Sequence, residues 1–174
     1  MSRRVIRTIG MCCAVLWLAT GCIPSFKLND AQIPPEAQTV SIPLFPNVAP
    51  LVTPTLSATF TDALQQKFVR QTRLSVVQEE GDLQFSGEIV GYTSTPVSVT
   101  AAEEFASAQN RLTITVRVQY TNTLQPENSF APRTFSQYAD YNSSSPLSSV
   151  EGQLIPQIVD DLVTDIYNAA FSNW

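Results

Sequence analysis

Arg111-Leu-Thr-Ile-Thr-Val-Arg-Val-Gln-Tyr120 alternates without a fault. Leu112, Ile114, Val116, Val118 and Tyr120 fall on one side, and Arg111, Thr113, Thr115, Arg117 and Gln119 on the other. A strand turns successive side chains to opposite faces, so this period of two predicts a strand with one apolar and one polar face. A sheet built on it must be covered on its apolar side, while its other side meets water or a polar partner. Upstream, Leu83, Phe85, Gly87 and Ile89 alternate with Gln84, Ser86 and Glu88 in the same way. Glu88 and Arg117 then lie on the polar side of the sheet as a candidate cross-strand pair, worth about 0.2–1 kcal/mol.

Working outward, Thr39–Phe45 reads as a strand with Val40, Ile42 and Leu44 on one side, and Pro43 points to an edge or an end of pairing. Leu74–Gln78 reads as a short strand before a Gly81-Asp82 turn, and Arg133–Tyr141 as a last strand with Phe135, Ala139 and Tyr141 inward. Ser94–Asn110 is small, polar and acidic, and too long for a tight hairpin, so it should project. Thr53-Pro54 reads as a helix start, a capping hydroxyl followed by proline at the first helical position. Leu56, Phe60, Ala63, Leu64 and Phe68 follow at helical spacing, with Ser57, Thr61, Gln65 and Gln66 opposite. A second helix follows the Ser148-Ser-Val-Glu151 capping box, with Ile155, Ile158, Val159, Leu162, Ile166, Ala170 and Phe171 as its buried stripe. Pro156 should kink that helix or delay its regular start. The expectation is an α+β fold, a two-layer sandwich in which a small, mostly antiparallel or mixed sheet carries two helices on one face.

The amino terminus is of another kind. Arg3, Arg4 and Arg7 precede an apolar run from Ile9 to Ala19, which ends at Thr20-Gly21-Cys22. A basic start, a short apolar run and small residues describe a signal peptide, and the run falls short of the roughly 20 residues of a membrane span. Leu18-Ala-Thr-Gly-Cys22 resembles a bacterial lipobox, with the leucine one step earlier than is usual. The resemblance implies cleavage before Cys22 and acylation of its sulfur. Cys12 and Cys13 leave with the signal, so Cys22 remains as the one cysteine of the mature chain and an intrachain disulfide is excluded. The expected organisation is a signal peptide over 1–21, a lipidated terminus and tether over 22–38, and a single α+β domain over 39–174. The mature part would carry 7 basic and 15 acidic side chains, net −8, so charge would not hold it on an anionic membrane and the anchor must.

Composition narrows the chemistry. The 174 residues include no histidine, which excludes Ser-His and Cys-His nucleophilic pairs within the chain and imidazole ligation of a metal. An acidic chain is poorly suited to nucleic acid, whose binding runs on phosphate neutralisation. Glu79-Glu80 and Glu103-Glu104 are acidic pairs in turns or loops, and Asp160, Asp161 and Asp165 lie on the polar side of the last helix without the spacing of a calcium loop. No catalytic residues, cofactor or metal ligands are therefore assigned. Arg111 and Arg117 on the polar sheet face are candidate contacts for an anionic glycolipid or a partner. Phe105 is a candidate aromatic anchor within the projecting loop.

Five phrases carry a wider resemblance: Val40-Ser-Ile-Pro-Leu-Phe-Pro-Asn47, Pro54-Thr-Leu-Ser57, Gly87-Glu-Ile-Val-Gly-Tyr92, Arg111-Leu-Thr-Ile-Thr-Val116 and Tyr138-Ala-Asp-Tyr141. In this order, behind a lipobox, they resemble the lipopolysaccharide-assembly lipoproteins of Gram-negative bacteria, the LptE family. The resemblance implies a non-enzymatic protein inside the lumen of the LptD outer-membrane barrel, which it helps to assemble, plugs and assists in lipopolysaccharide export. The basic residues often associated with lipopolysaccharide binding do not map onto this acidic chain. Ile23 after the cysteine, rather than aspartate, implies the outer membrane, on its periplasmic side. The residues by themselves leave two other readings: a lipoprotein chaperone or pilot for another envelope machine such as a secretion pore, and a glycan hydrolase using Glu79, Glu80, Glu103 or Glu104.

Overall fold

The computed structural model describes residues 33–51, 53–97 and 108–171. Its elements are β1 (Thr39–Ser41), α1 (Leu56–Gln71), β2 (Ser75–Val77), β3 (Leu83–Val97), β4 (Gln109–Asn122), a 3-10 turn over Pro126–Asn128, β5 (Phe130–Asn142) and α2 (Leu147–Phe171). One mixed sheet takes the order β2-β1-β3-β4-β5. β1 runs parallel to both β2 and β3, while β3, β4 and β5 form an antiparallel meander. The parallel pair needs a crossover, and α1 supplies it.

The alternation that predicts β4 is realised in full: Leu112, Ile114, Val116, Val118 and Tyr120 are all buried. They face the apolar stripes of both helices, Leu56, Phe60, Leu64 and Phe68 from α1 and Ile155, Ile158, Val159, Leu162, Val163, Ile166 and Phe171 from α2. An aromatic cluster ties the two layers together. Phe68 of α1 lies 4.9 Å from Phe85 of β3, Phe85 stacks on Tyr120 of β4 at 4.8 Å, and Phe171 of α2 meets Tyr120 at 5.8 Å. Such ring pairs add about 0.5–1.5 kcal/mol each beyond the area they bury. The fold is the expected α+β sandwich, with a five-stranded mixed sheet and both helices on one face.

Several local expectations are corrected. β1 stops at Ser41, because Pro43 has no N–H to continue the ladder. Parity is lost with it, so Phe45 is buried where Leu44 had been expected and Leu44 is exposed. The chain stays beside β3 nonetheless, through a parallel bridge between Asn47 and Ile89. Thr53 does not cap α1. Thr55 occupies the cap position and makes no side-chain bond there, while the Leu56 N–H reaches the Thr53 carbonyl at 3.1 Å. The capping box at Ser148 does not form, since α2 starts at Leu147 and Glu151 is engaged by Tyr92. α2 runs through Pro156 without interruption. The hydrogen bond that proline removes belongs to the carbonyl of Gly152, and both residues are exposed, so that carbonyl is left on the solvent side rather than in the core. Ser94–Val97 and Gln109–Asn110 extend β3 and β4, paired Val97 to Gln109, rather than belonging to a projecting loop.

Candidate functional site

Alternation leaves β3, β4 and β5 with an outer face that no described helix covers, and the sequence-predicted arginines stand on it. The register sets Arg111 opposite Asp140 and Glu88 opposite Arg117. Arg111 forks onto Asp140, Nε to Oδ1 at 2.7 Å and Nη2 to Oδ2 at 2.9 Å, and its guanidinium lies 3.7 Å over the Tyr138 ring. That pairing holds the Asp140 carboxyl below the usual carboxylate range and raises the Arg111 guanidinium further. Arg111 is thus held on two sides. Arg117 donates only Nη1 to Glu88 Oε1, at 3.0 Å, among the described residues, and its side chain is 53 % exposed. Between the arginines, the Thr115 and Ser136 hydroxyls pair at 3.0 Å. An open groove of about 240 Å³ runs beside Arg117, lined by Pro46, Gly87, Glu88, Arg117, Gln119 and Pro132. Tyr138 was not foreseen as part of this face, although it lies opposite Thr113 in the register and so on the same side of the sheet. Arg133 points the other way: it pairs with inward-facing Val118 and lies over Phe130 and Phe135, at 4.6 and 5.0 Å.

The carboxylate candidates do not converge. Glu79, Glu80, Asp160 and Asp161 are exposed, and Asp165 accepts a 2.6 Å bond from Gln137. Among the described residues no group of three or more acidic or cysteine side chains is placed to hold a metal. Burial pushes Tyr120 up to about 12 and raises Tyr92, whose hydroxyl donates to Glu151 at 3.1 Å. Cys22, Phe105, Glu103 and Glu104 lie outside the described residues.

A second feature escaped the reading by periodicity. Between β1 and α1, Phe45 and Ala49 are buried, Asn47 is half-buried, and Pro43, Leu44, Pro46, Val48, Pro50 and Leu51 are exposed. From Pro43 to Leu51 the exposed residues are therefore all apolar. Its available signal was prolines at 43, 46, 50 and 54 within a stretch, 37–61, that holds no charged residue. No described helix is long and apolar enough to cross a membrane.

Comparison with known proteins gives one family and a set of fold relatives. A family model described as LptE, lipopolysaccharide-assembly, matches residues 37–170. No curated protein matches the chain significantly. Among solved structures, a putative neuraminyllactose-binding hemagglutinin homolog from Helicobacter pylori superposes with a TM-score of 0.52 at 8 % identity, covering 82 % of this chain and 88 % of that one. A hypothetical protein from Chlamydia trachomatis gives 0.51 at 10 % identity, covering 78 % and 99 %. A minor lipoprotein from Acinetobacter baumannii gives 0.43 at 17 % identity, covering 77 % and 93 %. At these identities the first two show a shared fold and nothing more.

Proposed function

This chain belongs to the LptE lipopolysaccharide-assembly family, and on that premise we propose that it is a non-catalytic outer-membrane lipoprotein that plugs the LptD-type barrel and assists its assembly. The carrying observation is the extent of the match, which runs from just before β1 into the last turn of α2 and so takes in the whole sandwich. In this reading residues 1–21 are removed, Cys22 is acylated, 22–38 tether the single domain 39–174, and the protein faces the periplasm. The outer sheet face supports the role. Its charges are paired across strands and its other groups are hydroxyls and amides, a surface suited to a hydrated lumen. Arg117, with donors to spare, the Arg111–Tyr138 platform and Phe105 are the proposed contacts with the barrel or with lipopolysaccharide.

Affinity purification of the acylated protein from solubilised outer membranes tests this reading. Recovery of the lipopolysaccharide barrel is expected. Recovery of a secretin or another transporter without that barrel would establish the pilot or chaperone role instead.

A further inference from the structure

We propose that β5 is an open sheet edge onto which an extended segment of the barrel partner, folded into the lumen, adds as a further strand. This rests on the plug reading and names the mode of contact. β5 has a neighbour on one side only. Which of its peptide groups are free follows from two bonds at the ends of β4. The Ser143 N–H donates to the Ala108 carbonyl at 3.0 Å, and the Thr123 N–H to the Asp82 carbonyl at 2.9 Å. In an antiparallel ladder, hydrogen-bonded pairs alternate with non-bonded ones. From Ala108 to Val118 the even-numbered residues therefore bond to β5 and the odd-numbered ones to β3. On β5, Arg133, Phe135, Gln137, Ala139 and Tyr141 turn their N–H and C=O to β4. Thr134, Ser136, Tyr138 and Asp140 turn theirs to the open edge, over about 20 Å. All four are exposed, and among the described residues nothing bonds to these groups.

The two edges of the sheet differ. β2, at the far edge, is 3 residues long, whereas β5 has 13. A short strand is one way of blunting an edge; proline, a bulge and an inward charge are others. β5 has the last three, but all at its start: Pro132, the register shift opposite Val118 and Tyr120, and inward Arg133. From Thr134 to Asp140 it holds no proline, no lysine and no shift in register. Its one charge there, Asp140, is paired with Arg111. A row of free peptide groups selects an extended main chain. The strands of a closed barrel are all paired with one another, so the segment that can add is a loop turned into the lumen. Beside β5 its side chains would alternate between the watery outer face, next to Thr134, Ser136 and Tyr138, and the helix side, next to Phe135. Phe135 faces inward yet is only half-buried, so an apolar neighbour there completes its cover. A second copy is the poorer occupant, because each mature chain would bring net −8 to the contact.

Deuterium exchange, read residue by residue after fragmentation, tests the pairing in the acylated protein alone and in its detergent-solubilised complex with the barrel. Alone, the amides of Thr134, Ser136, Tyr138 and Asp140 should exchange freely, while those of Phe135, Gln137 and Ala139 are held by β4 and exchange slowly. In the complex the four outward amides should slow by at least about tenfold. Ser136→Pro removes one outward N–H and leaves the bonds to β4 in place. It should lower the yield of co-purified barrel about tenfold, with the circular dichroism of the parent. If that variant does not fold, exchange in the parent decides. Barrel recovered with the outward amides still exchanging freely, or recovered in full by folded Ser136→Pro, would overturn the edge pairing and leave the plug reading standing. No barrel recovered would overturn the plug reading, and the edge pairing with it. Outward amides already slow in the isolated protein would assign the edge to a second copy, where the slowing fades on dilution, or to another part of this chain, where it does not, and either excludes the barrel segment.

Discussion

Thr61 and Asp82 show how single polar atoms fix this fold. Thr61 is buried, its hydroxyl accepting from the Phe45 N–H at 3.0 Å and donating to the Ser57 carbonyl at 2.8 Å. Thr61→Val keeps the shape and removes both bonds. The orphaned Phe45 N–H should then cost about 1–3 kcal/mol, read as a lower urea midpoint with an unchanged slope. Asp82 acts where β1 meets β3. Its carboxylate accepts from the Gln38 N–H at 2.9 Å and from the N–H and hydroxyl of Thr39 at 3.0 and 2.9 Å. Those bonds, the Gln38 N–H foremost, hold its pKa below the ordinary value. A carboxylate depressed in the folded state stabilises the fold above its unfolded pKa, and that stability is lost as the pH falls through the lowered folded value. Asp82→Asn does not titrate. Its urea midpoint should therefore lie below that of the parent between about pH 5 and 7, and the gap should close below about pH 4 as the parent loses its carboxylate. A gap that does not narrow at all as the pH falls would assign the effect to shape rather than to charge.

At the scale of elements, what periodicity encodes was legible and what the third dimension decides was not. β4, the apolar stripes of both helices and the Glu88–Arg117 pair all follow from spacing within short windows. β3 was legible only as far as Ile89. A bulge between Ile89 and Gly91 flips its parity, so Leu83, Phe85 and Ile89 point inward before it and Tyr92 after it. Gly87 keeps the inward register without a side chain, because a Cβ there would sit 2.1 Å from the Arg117 carbonyl oxygen and 2.7 Å from the Phe45 ring. The polar stripe of α1 misled for a related reason. Ser57, Thr61 and Gln65 recur every four residues and read as a solvated face. Instead they form the line on which the chain after β1 is docked, bonding Phe45, Phe45 again and Ile42. The Ser148–Glu151 box failed because Glu151 found a better partner in a tyrosine 59 residues away. Of the candidate site, the Glu88–Arg117 pairing was readable from charge and alternation, and the Arg111–Asp140 fork was not, since β5 had to be placed beside β4 first. The Tyr138 platform and the apolar loop were not, since one needs strand order and the other needs to know which residues lie behind it.

At the scale of the whole molecule, the decisive question is what holds an acidic body against an anionic membrane. Without the three arginines of residues 1–21 the chain carries net −8, so electrostatics oppose adsorption. A single acyl chain binds membranes only marginally and reversibly, whereas two or more, at about 0.8 kcal/mol per buried methylene, hold effectively for good. Nearly all of the membrane attachment should then reside in one sulfur atom. Cys22→Ala changes a residue outside the described sandwich. It should nonetheless abolish palmitate incorporation and move the protein out of the membrane fraction, while circular dichroism and the urea midpoint stay those of the parent. Unchanged labelling and retention in the membrane pellet after that substitution would show that Cys22 is not the anchor.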